Sequence, residues 1–150
     1  MKTSAICSFL LILTFAVTSC KKEFPDDPLA LKELSVGECK TKGNDVKGTE
    51  QEYITIKTVD DYYLLINHFN SIFNCEPGEI TVSIEISSSD ITITEIESDP
   101  KVNCVCPYDL NFKLGPLQYG SYKIIFKKAG LIFKEYNLDF KKSTDIKIEL

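Results

Sequence analysis

The chain contains no arginine and no tryptophan, one histidine (His68) and one methionine, at position 1. All 17 basic residues are therefore lysines, set against 22 acidic residues for a formal charge of −5. Arginine supplies the planar fork that grips phosphates and base edges, so an acidic chain without it excludes nucleic acid as a partner. With a single imidazole, only His68 is placed by default to act as a base near neutral pH. The lack of tryptophan removes the best sugar-stacking side chain. No G-x-S-x-G elbow, Walker loop or H-E-x-x-H motif is present, and no D-x-D-x-D loop offers a calcium cage. Internal repeats and low-complexity blocks are absent too. What remains, 150 residues with 43% hydrophobic and 26% charged, excludes a disordered polypeptide and fits one folded domain.

The first twenty residues read as an address. Met1-Lys2 gives a positive start, and Ala5 to Val17 (AICSFLLILTFAV) is almost wholly apolar. Thirteen helical residues span about 20 Å, short of a hydrocarbon core of about 30 Å, which makes the run a secretory signal peptide. Val17-Thr18-Ser19-Cys20 resembles the lipobox of bacterial lipoproteins. That resemblance implies cleavage after residue 19, a thioether-linked diacylglycerol and acyl chains such as palmitate on Cys20, and a membrane anchor through that residue. Several acyl chains on one residue hold a protein stably where one chain does not. Residues 20–29, with Lys21 and Lys22 followed by Asp26 and Asp27 between Pro25 and Pro28, read as a lipidated tether. Removing Lys2 with the leader leaves 16 lysines against 22 acids, a formal charge of −6.

Six cysteines reduce to four once Cys7 leaves with the leader and Cys20 takes lipid: Cys39, Cys75, Cys104 and Cys106. In an exported chain they point to up to two disulfides, with three possible pairings. Cys104 and Cys106, two apart on a strand, share a face, which disfavours a bond between them; each then takes a partner from Cys39 and Cys75. A zinc site built from His68, Cys75, Cys104 and Cys106 is the alternative. It lacks paired C-x₂₋₄-C knuckles and sits poorly with an oxidising compartment, so no metal and no cofactor is assigned.

From residue 30 to residue 150 the dominant period is two, as in Ile80, Val82, Ile84 and Ile86 or Tyr122, Ile124 and Phe126, the mark of half-buried strands. Strands are expected near 31–38, 52–59, 62–73, 79–87, 90–97, 104–114, 120–128, 131–141 and 144–150. Leu131 and Phe133 have opposite parity to Tyr136 and Leu138, which places a bulge between them. The segment 62–73 is apolar throughout, and its aromatic and isoleucine content favours a strand buried on both faces over a short helix. Eight or nine antiparallel strands in one domain, residues 30–150, make an all-β, immunoglobulin-like sandwich. Leu117-Gln118-Tyr119-Gly120-Ser121-Tyr122 resembles the L-x-x-G-x-Y corner of bacterial immunoglobulin-like and transthyretin-like domains. The resemblance implies a core-packed Tyr122 and a tight turn at Gly120.

Three further stretches stand together: His68-Phe69-Asn70-Ser71-Ile72-Phe73-Asn74-Cys75, Cys104-Val105-Cys106-Pro107-Tyr108-Asp109-Leu110, and Gly115 to Tyr122. They are similar to a group of small Bacteroidetes lipoproteins with the pattern H-x-N-x-x-F-N-C, C-x-C-P-Y-D-L and G-x-L-x-x-G-x-Y. The resemblance implies a fold and an envelope location, and assigns no reaction. It also implies that Cys75 and the Cys104/Cys106 pair meet in space.

Candidates for chemistry are few. A lone histidine on an apolar strand reads as a core residue with a satisfied hydrogen bond. Asp60 and Asp61 are adjacent and face opposite ways on a strand, so they read as a solvated turn rather than a glycosidase pair. Calcium ligation by Asp60, Asp61, Asp90 or Asp99 lacks a loop pattern. Tyr62, Tyr63, Tyr108 and Tyr119 are a possible sugar platform, with core and corner packing the simpler reading. Residues 76–99 hold seven acids and no lysine, and residues 120–150 hold seven lysines and four acids, which fits complementary strands pairing in one sheet. The sequence therefore points to a monomeric, non-catalytic, lipid-anchored module of the bacterial envelope. It sits at the outer membrane, facing periplasm or surface, and serves a protein or glycan partner. Inhibition of exported proteases is the alternative.

Overall fold

The computed structural model describes residues 23–40 and 51–150. The leader and Cys20 lie outside the described residues. The regular elements are β1 (Ala30–Val36), β2 (Tyr53–Val59), β3 (Tyr63–Asn74), β4 (Ile80–Ser87), β5 (Asp90–Glu97), β6 (Val105–Gly115), β7 (Gly120–Lys128), β8 (Leu131–Phe140) and β9 (Asp145–Glu149). Each of the nine expected strands is present, with bounds shifted by two residues at most. They form a five-stranded sheet ordered β1-β6-β3-β2-β9 and a four-stranded sheet ordered β4-β5-β7-β8. The chain is thus an all-β sandwich.

The inward residues follow the period of two. Ile54, Ile56, Leu64, Ile66, Phe112 and Leu114 from one sheet meet Ile91, Ile93, Ile124, Phe126, Leu138 and Phe140 from the other. Burying each such side chain contributes about 1.5–3 kcal/mol, which is why the alternation, once present, dictates two facing layers.

Two expectations need correction. Pairing is not antiparallel throughout: β5 and β7 run parallel, from Asp90 beside Lys123 to Glu95 beside Lys128. The chain leaves β5, crosses to the other sheet as β6, and returns as β7, so no hairpin reverses its direction. β3 is a strand, but it is not buried on both faces. Leu64, Ile66 and His68 face the core, whereas Tyr63, Leu65, Asn67 and Phe69 are only half-buried. Among the described residues, no third layer covers the outer face of that sheet. That face is shielded by cross-strand neighbours instead: Tyr53 stacks on Phe69 at 4.7 Å, and Asn67 hydrogen-bonds to Thr55 and Asn111.

Two bulges re-aim side chains. On β8 the register slips at Phe133, since Phe126 pairs with Lys134 and Lys127 with Ile132; this is the expected parity break. On β3 an extra residue falls between the pairs His68–Leu110 and Ser71–Tyr108. Asn70 takes it up with φ 59°, a conformation asparagine tolerates better than most residues. The slip turns Ser71 and Phe73 inward, onto the face His68 already occupies.

The corner is built differently from expectation. Tyr122 packs against the core, and its hydroxyl donates to the Gln118 carbonyl at 2.9 Å, so the tyrosine half of the motif holds. Gly120 does not make a tight turn; it opens β7, and a Cβ there would meet nothing within 4 Å. The glycine that this corner requires is Gly115. With φ 156°, a Cβ on it would lie 2.8 Å from the Tyr62 carbonyl oxygen and 2.6 Å from the Tyr63 ring.

Two disulfides close the opposite end. Cys39 after β1 bonds Cys106 on β6, and Cys75 after β3 bonds Cys104 before β6, each with Cα atoms 5.6 Å apart. Cys104 and Cys106 therefore take separate partners, as expected, although Cys104 lies just outside the strand, and the four cysteines are disulfide-bonded and not zinc ligands.

Candidate functional site

The most concentrated chemistry lies between the sheets, near the disulfide end. His68 reaches inward from β3. Glu95 reaches inward from β5 because it continues the parity of Ile91 and Ile93. Lys128 arrives beside it through the parallel register of β5 and β7, Glu52 comes from the residue preceding β2, and Ser71 is delivered by the β3 bulge. His68, Ser71 and Glu95 are buried.

The histidine is held from both sides. Its Nδ1 lies 2.6 Å from Glu95 Oε1, and its Nε2 lies 2.9 Å from Glu52 Oε1. The second contact is an ion-pair approach at that distance. Ser71 Oγ donates to the other Glu95 oxygen at 3.1 Å. Lys128 Nζ stands 3.3 Å from Glu52 and 3.9 Å from Glu95, over the rings of Phe73 and Phe133 at 4.8 and 5.3 Å. The imidazole itself stacks on Phe133 with centroids 5.6 Å apart.

Burial alone would push the His68 pKa down, but the facing carboxylates of Glu52 and Glu95 outweigh it and raise the pKa above 6.5. Burial acts on Glu52 in the opposite sense, yet His68 and Lys128 hold its carboxyl below 4.5. The arrangement thus favours the imidazolium form of His68 between Glu52 and Glu95, with Lys128 beside both acids.

This geometry opposes a nucleophilic role. A hydroxyl nucleophile must hand its proton to the imidazole. Here Glu95 stands between them: Ser71 donates to the carboxylate, and the imidazole faces carboxylates on both nitrogens. What the cluster does chemically is join the two sheets through paired charges and hydrogen bonds. The histidine is a core residue with a hydrogen-bond partner, as expected, but sequence reasoning missed the partners. The signal for Glu95 was available: it is a carboxylate at the third inward position of I-T-I-T-E.

The other candidates separate in space. Asp60 and Asp61 occupy the β2–β3 turn with φ 50° and 67°, Asp60 beside Lys113 and Asp61 beside Lys142. Asp99 pairs with Lys101. Among the described residues, no three His, Cys, Asp or Glu side chains gather as a metal site would require. The four tyrosines do not form one platform. Tyr108 is buried against Phe73 and donates to the Asn74 and Cys75 carbonyls, while Tyr62, Tyr63 and Tyr119 lie at the far end. The acid-rich and lysine-rich segments do pair within one sheet, as β5 against β7. An open hollow of about 300 Å³ lies beside the β8–β9 turn, lined by Tyr136, Leu138, Lys141, Thr144 and Ile146; none of the cluster's side chains reaches it.

Comparison with family models, with curated proteins and with solved structures finds no match.

Proposed function

We propose that the chain is a lipid-anchored envelope lipoprotein whose sandwich acts as a non-catalytic binding or structural module. The observation that carries this reading is Val17-Thr18-Ser19-Cys20 directly after a thirteen-residue apolar run. The two disulfides support it, because such bonds persist in oxidising, non-cytosolic compartments. The resemblance to small Bacteroidetes lipoproteins points the same way and adds the outer membrane as the location. The non-catalytic part rests on His68, whose ring nitrogens both face carboxylates in a buried setting where a substrate has no approach.

Metabolic labelling with a fatty-acid probe tests the anchor. Wild-type protein is expected to take up label and to pellet with envelope membranes, and Cys20→Ala is expected to do neither. Label retained by Cys20→Ala would overturn the reading. A pull-down of the lipidated protein from envelope membranes tests the module: a partner lost when the sandwich surface is altered but retained by His68→Gln supports it. Recovery of no partner above background counts against it.

A further inference from the structure

The route by which the chain reaches the sandwich bears on how the domain stands. The described chain begins at Glu23, three residue steps after Cys20, a reach of at most about 11 Å. From there it is already docked rather than free. Phe24 packs edge-on against Tyr62 at 5.1 Å, Asp27 pairs with Lys32 at 2.8 Å and accepts from the Tyr63 hydroxyl at 3.3 Å, and Leu29 packs on the core. Within the described part of the expected tether, Phe24, Asp27 and Leu29 are thus held against the sandwich.

This docking takes place at the end opposite the disulfides. It brings together the β2–β3 turn, the Gly115–Tyr119 connection and the β8–β9 turn. Tyr62 lies 5.8 Å from Tyr119, whose hydroxyl donates to the Asp61 carbonyl at 2.8 Å. Phe24 and Tyr119 are 39% and 45% exposed, so a row of three rings, Phe24-Tyr62-Tyr119, opens to solvent. Most charges around the row are paired: Asp27 with Lys32, Glu33 and Asp60 sharing Lys113, Asp61 with Lys142, and Asp139 with Lys141, while Glu23 and Asp26 add acid beside Phe24. Aromatic rings, two of them with a polar tip, set among mostly paired charges without a basic excess, suit the headgroup layer of a bilayer.

We propose that this end is a membrane-contact face: Phe24, Tyr62 and Tyr119 rest in the lipid headgroup layer, and the disulfide end points away from the bilayer. The proposal rests on lipidation of Cys20 and goes beyond it, since an anchor alone leaves orientation free. Because the face carries no excess of positive charge, the contact depends on the rings and not on anionic lipid.

The absence of tryptophan makes the test clean. Full-length lipidated protein carrying Tyr119→Trp, or Leu131→Trp at the disulfide end, is reconstituted into zwitterionic vesicles containing lipid brominated near the headgroup. The expected result is strong quenching at position 119, little at position 131, and no change in 0.5 M salt. Inserting a twenty-residue Gly/Ser linker between Lys22 and Glu23 is expected to weaken the quenching at 119. Co-flotation with vesicles but equal or absent quenching at both positions would overturn the orientation while leaving the anchor intact. Failure to co-float would overturn both.

Discussion

The two ends of this sandwich are closed by different means. At the Gly115–Tyr122 end the core runs out to the loops: Leu117 and Phe140 are buried there, and the closing contacts are rings and single hydrogen bonds. Towards the disulfides a second, smaller cluster of Phe73, Ile80, Cys106, Tyr108 and Leu110 takes over, flanked by His68, Glu95 and Lys128. Apolar contact there is thin, and covalent bonds and paired charges hold what packing does not. The lesson is that a small sandwich need not be hydrophobic from end to end. Where two layers separate enough to admit long polar side chains, a charged cluster serves if every member has a partner.

The comparison can be broken most severely at Glu95. Removing one member of a buried pair strands the other, so Glu95→Ala is expected to cost about 3–5 kcal/mol, as much as opening a cavity at Phe112 with Phe112→Ala, about 3–5 kcal/mol. Thermal and urea denaturation of both variants measures this, and a Glu95→Ala cost below 1 kcal/mol would mean the disulfide end does not depend on charge. The covalent contribution comes next. Cys39–Cys106 spans 67 residues and Cys75–Cys104 spans 29, so chain entropy gives about 4 and about 3.5 kcal/mol respectively. Alanine replacement of each pair, followed by urea titration, is expected to preserve that order.

At the opposite end the contrast lies between two glycines. Gly115→Ala forces the backbone off the Tyr62 carbonyl and is expected to cost about 1–3 kcal/mol, whereas Gly120→Ala is expected to change little. Equal costs would mean the corner is closed by something other than the close approach at Gly115. The gentlest probe is pH. The raised His68 pKa gives stability that is full below 6.5 and is lost as pH rises through the raised value. The lowered Glu52 pKa gives stability that is full above 4.5 and is lost as pH falls through the lowered value. A melting-temperature maximum between these limits is expected, and His68→Gln is expected to remove its alkaline side.

The strands and the corner tyrosine were legible because alternation and turn residues act locally. Ile91 and Ile93 alternate with threonines, and Tyr122 sits two residues after a glycine. The bulge at Phe133 was legible as well, since it breaks a parity that either side of it declares. What escaped depends on distant parts of the chain. Glu95 carries the right parity for the core, but only His68, the Ser71 that the β3 bulge turns inward and the parallel neighbour Lys128 make a carboxylate acceptable there. Gly115 looked unremarkable beside Gly120 because its necessity comes from the Tyr62 carbonyl, more than fifty residues earlier. Asn70 carries no mark that distinguishes a bulge from an ordinary strand position.

The parallel alignment of β5 with β7 also has a kinetic side. Asp90 and Lys123 are neighbours although the chain between them runs through the other sheet as β6. The two hairpins of the four-stranded sheet, β4–β5 and β7–β8, are local in the chain, whereas the pairing that joins them is not. Non-local strand pairing of this kind sets slow folding rates. The joining of the hairpins is therefore the costly step in building the four-stranded sheet, and until they join their inner edges stay open to wrong partners.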